Sequence, residues 1–157
     1  MAKGTEIVLA VPAKGTFEEC TVSGTPKPGT CMEIVPATAP ANGRFTYRAK
    51  SLTAGSKGGV AVLLPDRLQG KLETDAYVSG TRGFLYWPVA GEELNLLVAD
   101  VAGTADDVAI GDLMGIDATG KLHANAAYTS APFMALEPIT DPTADYLLWV
   151  KYLGNNA

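Results

Sequence analysis

The sequence predicts an all-β fold, a compact sandwich or barrel-like domain of short antiparallel strands with an extended N-terminal arm. Apolar runs are cut at short intervals by clusters of Gly, Pro, Asp and Thr, which is typical of short strands joined by turns. The 17 Gly and 10 Pro would interrupt helices but suit a turn-rich β protein. With 157 residues, of which 47% are hydrophobic, the chain is long enough to bury one core. We therefore divide it into an arm, residues 1–14, and a single β domain, residues 15–157.

The N-terminal arm carries a short apolar run, Ile7–Val11, that ends at Pro12. Two interpretations remain open: the run forms an edge strand of this domain, or it adds a strand to a sheet of a neighbouring subunit. It is too short for the apolar centre of a signal peptide, and no stretch approaches the roughly 20 apolar residues of a membrane-spanning helix. We expect a protein that is not exported by that route and has no membrane partner.

Between residues 15 and 36, two apolar stretches flank a turn cluster, Ser23–Gly29, that contains two prolines. The prolines remove two backbone donors, so the segment is either a hairpin or a wide loop. Cys20 and Cys31 lie on either side of this cluster. They are either two free thiols or, in an oxidising setting, a disulfide. Neither belongs to a Cys-x-x-Cys motif, so we predict no metal site there.

Polar and apolar residues alternate from Arg44 to Arg48, which predicts a strand with Phe45 and Tyr47 on its buried face. Arg44, Thr46 and Arg48 share the opposite face. The two arginines on that face are either solvated or positioned to engage an acidic partner.

Two bulky apolar runs follow. Val60–Leu64 predicts a strand buried on both faces, and Leu68–Leu72 fits either one helical turn or the start of another strand. Phe84–Trp87 predicts a further strand, in which the last two rings point to opposite faces. One ring then enters the core, and the other is covered by a loop or by a neighbouring subunit. In the second case Trp87 would anchor an interface.

The last third of the chain predicts three more elements. Residues 92–101 fit both helical and strand spacing, and we favour a strand because turn chemistry surrounds them. Residues 108–124 predict the best-marked hairpin, with its turn at Asp117–Gly120. Residues 146–153 carry apolar side chains on both faces, which predicts a central strand.

Side chains for catalysis or metal binding are scarce. His123 is the only histidine, so a nucleophile–histidine arrangement would have to use it, and a structural zinc site lacks ligands. The spacing of Asp106, Asp107, Asp112 and Asp117 does not match a calcium loop. The net charge is −5, and the 12 basic residues form no run, which argues against direct contact with nucleic acid. We expect a protein that is not an enzyme and has no cofactor and no metal.

Five short motifs between roughly residues 28 and 150 carry a resemblance to a known family. They are Pro28–Ile34; Val60–Leu64 leading through Leu68–Lys71 to Asp75–Arg82; Pro88–Glu93; Ile110–Leu113; and Asp117–Leu122. In this order they resemble the sequences of head decoration (capsid cement) proteins of tailed bacteriophages, with Ser79 and Thr81 as departures. Each motif consists of common turn chemistry, so their order carries more information than any single motif.

The resemblance implies a structural virion protein, made in the host cytoplasm, that binds the outer surface of the expanded phage head. Its partners would be the major capsid protein, whose contacts it stabilises, and further copies of itself, as a homotrimer at local three-fold positions. Two alternatives remain: another virion β protein, such as a tail or fibre-base component, and a carbohydrate-binding β-sandwich module. The residues that we expect to contact the capsid are Ile7, Val8, Leu9 and Val11 of the arm, Arg44, Arg48 and Trp87.

Overall fold

The structure, a computed structural model, describes residue 7 and residues 15–36, 38–50, 59–100, 107–124, 131–142 and 146–154. These residues form strands and one 3₁₀ helix, Arg67–Gln69. The strands are β1 (Thr16–Val22), β2 (Cys31–Ile34), β3 (Thr46–Ala49), β4 (Ala61–Leu64), β5 (Arg82–Trp87), β6 (Glu93–Leu97), β7 (Leu113–Ile116), β8 (Leu122–Ala124), β9 (Phe133–Ala135) and β10 (Leu147–Tyr152).

The first five strands close into a barrel in the order β1-β3-β2-β4-β5. β1 returns to β5 in a long antiparallel ladder from Thr16↔Trp87 to Thr21↔Arg82. Alternate residues of each strand fill the interior, because neighbouring side chains on a strand point to opposite faces. The interior cluster is Cys20, Val22, Met32, Tyr47, Ala61, Leu63, Tyr77 and Leu85, with Trp87 packed against it.

The other five strands form a second sheet in the order β6-β10-β9-β7-β8. One face of this sheet packs against the outer wall of the barrel. Tyr86 on β5 and Val62 on β4 point outward from the barrel and share a buried cluster with Leu94, Leu148 and Phe133 of the second sheet. The barrel wall between the two clusters therefore has apolar side chains on both faces, as predicted for Val60–Leu64.

Several predicted elements are confirmed. β7 and β8 form the hairpin, with Met114 opposite Ala124 and Ile116 opposite Leu122. The carboxylate of Asp117 accepts the backbone N–H groups of Thr119 and Lys121 at 2.8 and 2.9 Å, which fixes the turn. Residues 93–97 are a strand, and β10 is central because β6 and β9 pair with its two edges.

Other predictions need correction or refinement. β1 and β2 do not form a hairpin: β3 lies between them, so Ser23–Gly29 belongs to a wide loop. β1 and β3 are parallel, whereas the other described strand pairs are antiparallel as predicted. Phe45 and Tyr47 were predicted to share a buried face, but only Tyr47 enters the core. β3 begins at Thr46, after Phe45, and Phe45 is 43% exposed.

The structure decides two alternatives that the sequence left open: a helical turn or a strand at Leu68–Leu72, and free thiols or a disulfide for the two cysteines. Arg67–Gln69 is a single 3₁₀ turn with Asp66 as its N-cap, whose carboxylate accepts the N–H of Gln69 at 3.2 Å. Cys20 and Cys31 are buried free thiols that lie in different clusters, one inside the barrel and one between the barrel and the second sheet. Across the described ranges, no helix is long and apolar enough to cross a membrane.

Candidate interaction surfaces

The arm residue Ile7 lies against the free edge of the second sheet. β6 pairs with β10 along one edge, and along its other edge the N–H of Asn95 donates to the carbonyl of Ile7 at 2.8 Å. The Ile7 side chain is 3% exposed and belongs to the cluster between barrel and sheet. Ile7 therefore lies at a sheet edge of its own domain, as in the first of the two interpretations. Its buried side chain leaves no free surface for contact with a capsid. Val8, Leu9 and Val11 lie outside the described residues.

The two predicted arginines lie on the outer face of the barrel and are paired within the chain. Arg44 Nε is 2.8 Å from Glu19 Oε2, and Arg48 Nε is 3.0 Å from Glu33 Oε1. Glu33 and Arg48 are directly opposite each other on β2 and β3. The Arg48 side chain is 53% exposed, so it remains accessible to a partner. Exposed pairs of this kind contribute about 0–1 kcal/mol to stability, so a competing carboxylate can displace Glu33.

Trp87 does not project from the surface. Its Nε1 donates to Glu18 Oε2 at 2.8 Å, and its ring meets the ring of Tyr47 edge-on at 6.2 Å between centroids. The hydroxyl of Tyr47 donates to the same carboxylate at 3.2 Å. Burial, reinforced by the Glu18 charge, raises the pKa of Tyr47 to about 12. Trp87 is thus half-buried and oriented within its own barrel, which leaves only part of its ring to act as an anchor.

The second sheet exposes an apolar face that the sequence patterns did not identify. Its core face packs on the barrel, so the residues between those core positions point outward. Leu113 is opposite Met134 on this outer face, Trp149 lies on β10, and Leu153 directly follows that strand. Leu113 is 57% exposed and Trp149 is 37% exposed. Apolar residues on both faces of β10 indicated a central strand, but only the packing of the layers determines which face stays uncovered.

A groove of about 340 Å³ lies where the barrel meets the second sheet. Its walls come from four separate parts of the chain: the β1–β2 loop, the last residue of β3, the last residue of β6, and the β7–β8 turn. The described lining residues are Ser23, Gly24, Thr25, Pro26, Lys27, Thr30, Ala49, Leu97, Thr119 and Lys121.

Buried polar groups hold the structure together. Both carboxylate oxygens of Glu92 accept the hydroxyl of Tyr86 at 2.7 Å, and Glu92 also accepts the N–H groups of Val89 and Gly15. Lys50 is 1% exposed; burial lowers its pKa, and the nearby Glu33 charge acts in the opposite direction. Burial also raises the pKa of both cysteine thiols, which keeps them protonated and unreactive at neutral pH.

The acidic residues and the histidine occupy ordinary structural positions. Asp112 accepts the N–H of Ala109 at 2.8 Å, Asp107 accepts that of Asp141 at 3.0 Å, and Asp106 lies outside the described residues. His123 is half-buried on β8. Among the residues that the structure describes, no group of three or more His, Cys, Asp or Glu side chains is arranged to hold a metal ion.

Comparison with known proteins finds similarity in fold and none in sequence. No protein-family model matches the chain, and no curated protein sequence matches it. Among solved structures, it is similar to the head fiber gp8.5 N base of bacteriophage phi29, with a TM-score of 0.55 and 9% sequence identity. The alignment covers 88% of this chain and 93% of that chain. The likeness is one of fold, and it extends along most of both chains.

Proposed function

We propose that this protein is a structural component of a bacteriophage virion that attaches to the outer surface of the capsid head. The observation that carries the proposal is the fold similarity to a phage head-fibre base over most of both chains. The ordered motifs between Pro28 and Leu122, which resemble head decoration proteins, support it independently. In this role the protein needs no catalyst, cofactor, membrane or nucleic acid, and its partners are the major capsid protein and further copies of itself as a homotrimer.

As a decoration protein, it would stabilise the head by binding only the expanded capsid lattice. A protein that binds one state of a partner shifts the equilibrium toward that state, and many copies on one particle add their effects. The experiment mixes the purified protein with expanded and unexpanded empty capsids of its phage and sediments the particles. We expect saturable attachment to the expanded capsids alone. Absence of the protein from the expanded-capsid pellet would refute the proposal.

A second role, the base of a head fibre, is favoured by the identity of the structural neighbour. Deleting the gene separates the two roles. If the protein is a decoration protein, the mutant particles should release their DNA at lower temperature than wild-type particles. If it is a fibre base, electron micrographs should show heads that lack projecting fibres but retain wild-type heat resistance.

The accessible Arg48 provides a test of the contact surface. Arg48→Glu should weaken attachment to expanded capsids more at low salt than at high salt, because salt already screens a rim charge. Arg67→Glu is the matched control, since Arg67 is similarly exposed and paired with Glu73 at 2.7 Å. Equal attachment of both variants at every salt concentration would exclude Arg48 from the contact.

A further inference from the structure

The groove between the barrel and the second sheet is unusual in its charge. The chain has 17 acidic and 12 basic residues, yet the described lining of the groove contains two lysines, Lys27 and Lys121, and no carboxylate. Asp117 lies beside the groove, but its side chain holds the β7–β8 turn by accepting the N–H groups of Thr119 and Lys121. The side chains that line the groove therefore carry a formal positive charge, whereas the whole chain is negative.

The groove also offers hydrogen-bonding groups and an apolar contact surface. Each ammonium carries three donors, so a lysine that already has a partner within the protein keeps donors for a ligand. Ser23 and Thr25 bring hydroxyl groups, whereas the Thr119 hydroxyl already donates to Asp117 at 2.8 Å; Pro26, Ala49 and Leu97 supply apolar surface. This combination of convergent polar groups and apolar surface is typical of a small-molecule site.

Backbone hydrogen bonds fix the groove walls before any ligand arrives. The N–H of Tyr77 donates to the carbonyl of Pro26 at 2.9 Å, and the N–H of Thr30 donates to that of Lys27 at 3.2 Å. The turn on the opposite wall is tied to β2, because the N–H of Cys31 donates to the carbonyl of Gly120 at 2.8 Å. Binding in such a preformed site orders little of the chain, which favours affinity.

We propose that this groove binds a small oxyanion, a carboxylate or phosphate, carried by a ligand about the size of one sugar residue. The volume of about 340 Å³ lies at the small end of the range for ligand pockets, about 300–1,000 Å³. The two ammonium groups hold the anionic group, the hydroxyls contact the polar rim of the ligand, and Leu97 and Pro26 contact its C–H groups. This inference does not depend on attachment to a capsid. A negative result for anion binding would not affect the proposed capsid role, and a negative result for capsid attachment would not affect the proposed anion site.

Titrations followed by amide chemical shifts test the proposal with three probes: glucuronate, its neutral counterpart glucose, and inorganic phosphate. We expect saturable shifts at Thr25, Lys27 and Thr119 with glucuronate, with phosphate, or with both, and none with glucose. The pattern identifies the anion: shifts with glucuronate alone indicate a sugar carboxylate, and shifts with phosphate indicate a phosphate group. Shifts that are equal for glucuronate and glucose, or absent with both anions, would overturn the proposal.

Three variants connect binding to the groove itself. Lys27→Ala should weaken binding about tenfold, the effect of losing one charge-assisted hydrogen bond. Lys27→Arg keeps the charge and should retain most of the affinity. Lys151→Ala is the control, because Lys151 lies opposite Glu93 and Met134 on the outer face of the second sheet. Unchanged affinity in Lys27→Ala, or an equal loss in Lys151→Ala, would contradict the assignment.

Discussion

At the scale of single residues, the buried carboxylate of Glu92 joins the start of β1 to the β5–β6 connection. It accepts the hydroxyl of Tyr86 at 2.7 Å and the N–H of Val89 at 2.8 Å, and both Glu92 and Tyr86 accept the N–H of Gly15. In these contacts the carboxylate is the acceptor throughout. One side chain thus fixes where the chain enters the barrel.

Glu92→Gln should lower the free energy of unfolding by about 2 kcal/mol, because the new NH₂ group would face the backbone N–H of either Gly15 or Val89. Glu93→Gln is the control: Glu93 accepts only an exposed contact from Trp149 Nε1 at 3.2 Å in the described structure. It should change stability by less than about 0.5 kcal/mol. Urea unfolding measures both variants. An equally small effect in Glu92→Gln would mean that the buried network contributes nothing to stability.

The thiol of Cys20 should make stability depend on alkaline pH. Burial, reinforced by the Glu18 charge, raises the pKa of Cys20 from 9.0 to about 12. Below pH 9 the thiol is protonated in both states; from pH 9 toward 12 only the unfolded state ionises, so stability falls as pH rises. The free energy of unfolding should therefore fall more steeply between pH 9 and 11 in the wild type than in Cys20→Ala. Parallel pH profiles of the two proteins would refute the shift.

At the scale of elements, the β7–β8 turn is fitted closely against β2. Gly120 has a φ of 80°, and a Cβ atom there would lie 2.6 Å from the carbonyl oxygen of Cys31. Gly43 has a similar φ of 75°, but nothing lies within 4 Å of its Cβ position. The two glycines therefore separate the cost of a left-handed backbone from the cost of steric overlap.

Gly43→Ala should cost about 1 kcal/mol of unfolding free energy, the ordinary penalty of a left-handed alanine. Gly120→Ala should cost about 3 kcal/mol or more, because overpacking against backbone adds to the same penalty. Thermal or urea unfolding of the two variants measures the difference. Equal losses would show that the turn can move away from β2 without strain.

The sequence could predict the elements that nearby residues determine, and it could not predict those that depend on residues far apart in the chain. The β7–β8 hairpin was predictable, because Asp117 and Gly120 specify their turn within a few residues. The neighbours of β1 were not, since β3 and β5 join it from distant parts of the chain. Ile7 is similar: its place at the β6 edge depends on residues almost 90 positions away. The groove and the outer apolar face arise only when the barrel and sheet pack together.

At the scale of the whole molecule, the barrel and the second sheet share one apolar layer. Tyr86 and Val62 belong to barrel strands, yet they pack with Leu94 and Leu148 of the second sheet. Ile7 and Gly29 add to this joint, because their carbonyls accept the N–H groups of Asn95 and Leu97 along the edge of β6. Unfolding either half would expose apolar surface of the other, which favours a single cooperative transition.

The two tryptophans allow a direct test of this cooperativity, since Trp87 lies in the barrel and Trp149 in the second sheet. In Trp149→Phe the remaining fluorescence reports on the barrel, and in Trp87→Phe it reports on the second sheet. Within each variant, the urea midpoints from fluorescence and from far-ultraviolet circular dichroism should coincide, because the shared layer makes the halves unfold together. Comparing two probes within one variant removes any difference in stability between variants, such as the loss of the Trp87 hydrogen bond to Glu18. If Trp149 fluorescence changed at a lower urea concentration than the circular dichroism, the second sheet would unfold first, and the chain would consist of two separate folding units.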